Sequence, residues 1–365
     1  MKQYICIGTY TEPILFGTGE IFQGKGKGVS ICEFEDGEIR VLKELPVRNP
    51  SFVCMDEKNR KIYAVNEMKE YQGQTGGGTS EISYDENGNM ELRASFNTAG
   101  TDPCHVIQSP DRKFLAVSNF ASGALTIFPL NEDGTMTGER EVFEHKGSSV
   151  HPVRQKGPHA HSGIFTPDGR YLYVPDLGMD QVKAYTYQNG KVKAAPEADI
   201  TVPAGSGPRF GEFGKDGRHF YLINEIGSKV MHFAYEDGNM IPKDTIETLP
   251  EDFEGDNICS DLHITPNGKY LYASNRGHDS LVCCRILEDG SLEIIERQAC
   301  GGRTPRNFCI DPTGEYLLVG NQDSDNITVF KISADGRLEE ISKCFWGSPV
   351  CIRFFTETAF GQEEF

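Results

Sequence analysis

The chain has 365 residues and carries 54 acidic against 36 basic side chains, a formal net charge of −18 at pH 7. That balance argues against nucleic acid or an anionic membrane as a partner, since both call for a basic face. Eleven cysteines occur without a Cys-x-x-Cys pair, so they read as reduced thiols in strands rather than zinc or dithiol motifs.

The N-terminus, MKQYICIGTYTEP, has no long apolar run and no cleavage signal, and no stretch of the chain is apolar enough to span a bilayer. A cytoplasmic location is therefore expected. Tyr4–Thr9 reads as a strand with no partner before it. Residues 11–28, TEPILFGTGEIFQGKGKG, lack the GxxxxGK[ST] spacing of a phosphate loop and read as a flexible connector. Val29–Phe34 and Ile39–Leu45 form a hairpin about Asp36-Gly37.

From there the chain repeats itself. NPSFVCMDEKNRKIYAVNE begins at Asn49, DPCHVIQSPDRKFLAVSNF at Asp102, GPHAHSGIFTPDGRYLYVPD at Gly157, GPRFGEFGKDGRHFYLINE at Gly207, CSDLHITPNGKYLYASNR at Cys259 and TPRNFCIDPTGEYLLVGNQ at Thr304. Each reads as strand, tight turn, strand. A self-similar period of about 50 residues marks a repeat architecture. A second strand pair follows each copy, joined by Asp-Gly or Asn-Gly: Asp36-Gly37, Asn87-Gly88, Asp133-Gly134, Asn189-Gly190, Asp237-Gly238, Asp289-Gly290 and Asp335-Gly336. These dipeptides suit hairpin turns because they tolerate positive φ. Residues 68–80 and His145–Lys156 are long loops that could act as lids. The tail after Phe355 is polar and expected to be loosely held.

The seven Asp/Asn-Gly hairpins imply seven units, yet the first strand pair is complete only six times. The ends supply the seventh: Ser348–Arg353 opens a unit that then stops, and Tyr4–Thr9 is a second strand lacking its first. The expected fold is all-β, a seven-bladed β-propeller with four antiparallel strands per blade. The N- and C-terminal strands share one blade and close the ring, so residues 1–365 form one domain.

Propeller geometry turns register into position, because in an antiparallel pair the start of one strand lies beside the end of the next. Counting back from the first-pair turn, the opening position holds Ser51, Cys104, His161, Arg209, Ser260 and Arg306. Just past the second strand stand Glu67, Phe120, Leu177, Glu225, Arg276 and Gln322. These make two rings about one channel mouth. Charge is not a requirement of the repeat, so His161, Arg209, Arg306, Glu67, Glu225 and Arg276 stand out. A lone arginine there could simply pair with a neighbouring blade's carboxylate, and Glu67 is evenly balanced between salt bridge and site. Several at matched register point to a site for an anion, with Arg209 and Arg276 expected on a solvated rim. His159 either decorates the rim or holds His161. Arginine offers a planar fork to carboxylate or phosphate, and His161 or Glu225 could exchange a proton. No third ligand accompanies His159 and His161, so no metal site is expected. His105, His263 and His278 read as structural histidines.

The segments CHVIQSPDRKFLAVSNF, HAHSGIFTPDGRYLYVPDLGMDQV, GSGPRFGEFGKDGRHFYLINE, LHITPNGKYLYASNRGHDSL and PRNFCIDPTGEYLLVGNQDSDNITVF resemble the propeller-type lactonase family, which includes bacterial 6-phosphogluconolactonase and fungal carboxymuconate cyclase. The resemblance runs nearly the whole length. It implies a seven-bladed propeller without metal or cofactor, and site residues at His161, Arg209, Glu225 and Arg276; Arg306, His159 and Glu67 rest on register alone. Two chemistries fit. In one, water opens a phosphorylated sugar lactone, with His161 or Glu225 as the base, arginines on the anionic group and one arginine at the oxyanion. Alternatively a muconate carboxylate adds to its own double bond. The expected partner is thus a small anionic sugar lactone or carboxylate, with 6-phosphogluconolactone preferred. A non-enzymatic binding platform would show an apolar face instead of a charged mouth.

Overall fold

A computed structural model describes residues 2–16, 19–356 and 360. Seven antiparallel sheets of four strands each form blades 1 to 7, and in blade 3 the outer strand is broken into Lys191–Ala194 and Ile200–Thr201, which both pair with Gln181–Gln188. Blade 1 comprises Val53–Asp56, Lys61–Asn66, Gly78–Tyr84 and Met90–Asn97. Blade 2 begins at Pro103–Gln108, blade 3 at Ile164–Phe165, blade 4 at Pro208–Phe213, blade 5 at Ile258–Ile264 and blade 6 at Pro305–Ile310. Blade 7 takes its first strand, Pro349–Phe354, from the end of the chain and its second, Gln3–Thr9, from the beginning. Those two pair from Ile5↔Phe354 to Gly8↔Cys351 before the register shifts, and Val29–Glu35 and Glu38–Leu45 complete the sheet. The seven-bladed propeller closed by strands from both termini is therefore the observed architecture.

Apolar burial is divided among eight clusters, seven of them each between two neighbouring sheets and the eighth formed by Tyr10, Ile14 and Val350 under Phe16 and Phe22. Tyr221, Ile223, Leu262, Leu271 and Val282 join blades 4 and 5, for example, and Ile5, Ile7, Phe34, Leu318 and Val329 join blades 6 and 7. Buried tyrosines add polar latches: the hydroxyls of Tyr63, Tyr221 and Tyr272 donate to the carbonyls of Gly134, Gly290 and Gly336 in the next blade's hairpin. The Asp/Asn-Gly hairpins fall into two kinds. At 36–37, 189–190 and 237–238 both residues have positive φ and form two-residue turns. In the other four only the glycine does, within a longer loop.

Three expectations about loops need correction. Residues 11–28 are not a featureless connector: Pro13–Leu15 pairs with Ile21–Gln23, and Phe16 and Phe22 pack on Tyr10. Gly17 and Thr18 lie outside the described residues. The 68–80 loop holds a small hairpin, Glu70–Tyr71 with Gln74–Thr75, and its last residues already belong to the strand Gly78–Tyr84. The tail is tied at the two described positions beyond Phe355. Thr356 donates to Glu57, and Phe360 is buried with its ring 4.5 Å from that of Tyr4. The rest of the tail lies outside the described residues.

A recurring backbone device aims side chains into the channel. Asn49, Asp102, Gly207, Thr304 and Ser348 all have positive φ, and each is followed by proline. Proline is tolerated at a strand's first position because no ladder donor is needed there. In four of these blades one extra residue follows the proline against the second strand: Cys104, Arg209, Arg306 and Val350. Such β-bulges bend a strand and re-aim the extra side chain.

Candidate active site

The bulged residues and the second-strand ends enclose a cavity of about 620 Å³ at one mouth of the channel. Cys104, His161, Arg306, Glu67, Phe120, Glu225, Arg276 and Gln322 all line it, so most of both rings expected from register face a common space. Arg209 lies one layer deeper. It lines a chamber of about 30 Å³ beneath the cavity, bordered also by His161, Asp261 and Asn307 and large enough for a single water. Arg209 is buried and the Arg276 side chain only 10% exposed, so neither stands on a solvated rim; both turn inward onto one carboxylate.

That carboxylate is Glu225, 3% exposed. Arg209 Nε and Arg276 Nη2 each stand 2.9 Å from its Oε2, and Arg154 Nη2 donates to its Oε1 at 2.5 Å. Burial alone would raise its pKa, but Arg276, Arg154 and Arg209 together hold it well below the usual carboxylate range. A carboxylate so thoroughly neutralised is a poor proton acceptor. Arg276 also donates to the carbonyl of Cys259 at 2.9 Å, which fixes its fork.

His161 contrasts with Glu225. Burial, reinforced by the charge of Arg209, pushes its pKa well below the ordinary imidazole value, so the ring is neutral at pH 7. The Phe120 ring meets it edge-on at 5.5 Å, and Cys104 Sγ lies 3.8 Å from Nδ1. His159 is off the cavity lining. Its ring stacks on Phe120 at 4.6 Å and its Nδ1 lies 2.9 Å from the Phe120 carbonyl, so it braces the residue that borders His161.

On the opposite wall Arg306 lies over Tyr10 and Phe16, 5.2 and 5.7 Å from their ring centres. Its nearest carboxylate is Glu67 at 3.7 Å, and its guanidinium makes no hydrogen bond to any described residue. Glu67 accepts from the Tyr10 hydroxyl at 2.8 Å. Burial raises its pKa, with Arg306 opposing. The cavity and the chamber beneath it thus hold four arginines, Arg154, Arg209, Arg276 and Arg306, against Glu225, Glu67 and Asp261. The rim is acidic and apolar, with Glu20, Asp102 and Asp323 beside Leu15 and Ile21; Asp102 is neutralised by Lys69.

Arg154 was not among the register-derived residues. It comes from the His145–Lys156 loop, which has no counterpart in the other repeats. The loop is tied by Ser149 to Asp180 at 2.5 Å and by Gln155 to the Leu177 carbonyl at 2.9 Å. The only sequence signal was a basic insertion directly before the GPHAH copy. His263 lies away from the cavity between Glu212 and Asp261, and His278 pairs with Ser280. Among the described residues no group of three or more His, Cys, Asp or Glu side chains is placed to hold a metal ion. No helix is long and apolar enough to cross a membrane.

A family model described as "Lactonase, 7-bladed beta-propeller" matches residues 4–354. The chain belongs to that family. Two relatives named 6-phosphogluconolactonase are similar to it. The one from Formosa agariphila is 34% identical, over 78% of this chain and 82% of the relative. The one from Bacillus subtilis is 29% identical, over 84% and 85%. Among solved structures, the periplasmic gluconolactonase of Pseudomonas aeruginosa superposes with a TM-score of 0.89 at 32% identity, covering 97% of this chain and 99% of that one.

Proposed function

We propose that this lactonase hydrolyses a sugar lactone bearing an anionic group, with 6-phosphogluconolactone as its substrate. One observation carries the reading: Arg306 presents a charged fork to the cavity with no hydrogen bond to any described residue, where four arginines face the carboxylates of Glu225, Glu67 and Asp261. That excess of positive charge, on a protein of net charge −18, suits a phosphate or carboxylate. The names of the relatives favour hydrolysis over cyclisation.

The chemistry follows from the protonation states. His161 is neutral and takes a proton from water as the water oxygen attacks the lactone carbonyl. The oxyanion forms beside Arg276, whose position is fixed before the reaction by Glu225 and the Cys259 carbonyl. Collapse breaks the ring C–O bond, and the imidazolium returns its proton to the ring oxygen. Burial and neighbouring positive charge make that imidazolium a ready donor. Glu225 is a positioning residue, holding Arg154, Arg209 and Arg276 together. Arg306 takes the anionic group. Eleven unpaired cysteines support a reducing, cytoplasmic setting for this work.

The test is direct. Purified protein is expected to open 6-phosphogluconolactone faster than the spontaneous reaction, and Arg306→Ala to raise KM by about 10-fold or more. A wild-type rate no greater than the blank would remove this substrate. An unchanged KM in the variant would remove Arg306 from anion binding.

A further inference from the structure

The proposed reaction leaves one buried carboxylate without a task. Glu67 is 5% exposed and stands on the wall opposite the Glu225 cluster. An ionised carboxylate offers about four acceptor sites. Oε2 receives the Tyr10 hydroxyl. Oε1 lies 3.7 Å from Arg306, beyond hydrogen-bonding reach, and the Ser51 hydroxyl is the one other described donor beside the carboxylate, so Tyr10 and Ser51 leave acceptor sites unfilled. A buried charge held this way is costly unless donors complete it, and here they must arrive from the cavity side.

A donor to this oxygen cannot be an anion, which would bring like charge against it. Hydroxyl groups fit. Beside the carboxylate, Phe16 and Phe22 lie nearly parallel with ring centres 5.8 Å apart and present an apolar surface to the same cavity. A carboxylate acceptor next to an aromatic surface matches the two aspects of a saturated sugar ring, its outward hydroxyls and its C–H faces.

We propose that Glu67 is a specificity-determining residue: its Oε1 accepts hydrogen bonds from the ring hydroxyls of a polyhydroxylated lactone lying against Phe16 and Phe22, and its charge turns away polycarboxylates. The proposal rests on the lactonase reading above and refines its substrate class. It also separates the two chemistries that the sequence leaves open, since a muconate carries carboxylates where a sugar carries hydroxyls.

The experiment compares D-glucono-δ-lactone with δ-valerolactone, which has the same ring without hydroxyls. In Glu67→Gln and Glu67→Ala the ratio of kcat/KM for the first lactone to that for the second is expected to fall about 10- to 100-fold, the worth of hydrogen bonds to a charged group. Inhibition by inorganic phosphate is expected to tighten in Glu67→Gln as a like charge leaves the cavity. A ratio that stays constant in both variants overturns the proposal and makes Glu67 a support for Tyr10 and Arg306. If the wild type opens neither lactone, opening of 6-phosphogluconolactone decides the lactonase reading separately. Calorimetry with gluconate and valerate then decides the role of Glu67: binding of gluconate alone should weaken in the variants, and equal weakening would refute it.

Discussion

Burial and the nearby guanidiniums keep the His161 imidazole neutral far below its ordinary titration range, and this fixes the sign of a pH effect. A base must be unprotonated to work, so a depressed pKa extends the active form toward acid. With spontaneous hydrolysis subtracted, kcat/KM is expected to stay flat from pH 8 to below about 6 before its acid limb begins. A limb centred near pH 6.5, or its persistence in His161→Asn, would dismiss His161 as the base. At this scale much of the cavity was readable in the repeats. His161, Glu225, Arg276, Arg306 and Glu67 occupy matched register positions, and a propeller converts matched register into a shared mouth. Arg154 was invisible because an inserted loop has no register to count. The depth of Arg209 was invisible too: Cys104 and Arg306 are bulged in the same way and reach the cavity, whereas Arg209 turns onto Glu225 in an ion pair that register does not reveal.

The elements near the mouth divide into those the repeat dictates and those it does not. Positive φ, proline and bulge recur because the first strand must start beside the axis without a ladder donor. Pattern and turn residues alone suffice to place such a strand. The hairpin Pro13–Leu15/Ile21–Gln23 has one counterpart, the smaller Glu70–Tyr71/Gln74–Thr75 hairpin in the same second-to-third-strand connection of blade 1, and its Gly- and Lys-containing sequence concealed it. What holds it is tertiary: Phe16 and Phe22 against Tyr10, with Phe16 under the Arg306 guanidinium. Replacing residues 13–23 by a short Gly-Ser link is expected to leave the melting temperature within a few degrees of wild type. KM for the anionic lactone should rise about 2- to 10-fold, the scale of a lost cation–aromatic contact. An unaltered KM would show that the hairpin contributes nothing to binding.

For the whole molecule, stability is spread over seven interblade clusters, and one of the seven sheets is stitched from both ends of the chain. Gln3–Thr9 is central in that sheet, paired with Pro349–Phe354 on one side and Val29–Glu35 on the other. Deleting residues 2–9 is expected to expose two apolar interfaces at once and abolish a cooperative thermal transition by circular dichroism. A sharp transition near the wild-type temperature would mean that the ring closes without this strand. The bulge that follows the proline in four blades has a different consequence. Because backbone geometry, rather than neighbouring packing, points that one residue at the axis, each of these four blades is a socket whose fitting can be exchanged. Cys104 is such a fitting, small and already facing the cavity. A descendant of this protein could acquire a new reagent there while every blade stayed as it was, which makes the propeller a chassis for retooling.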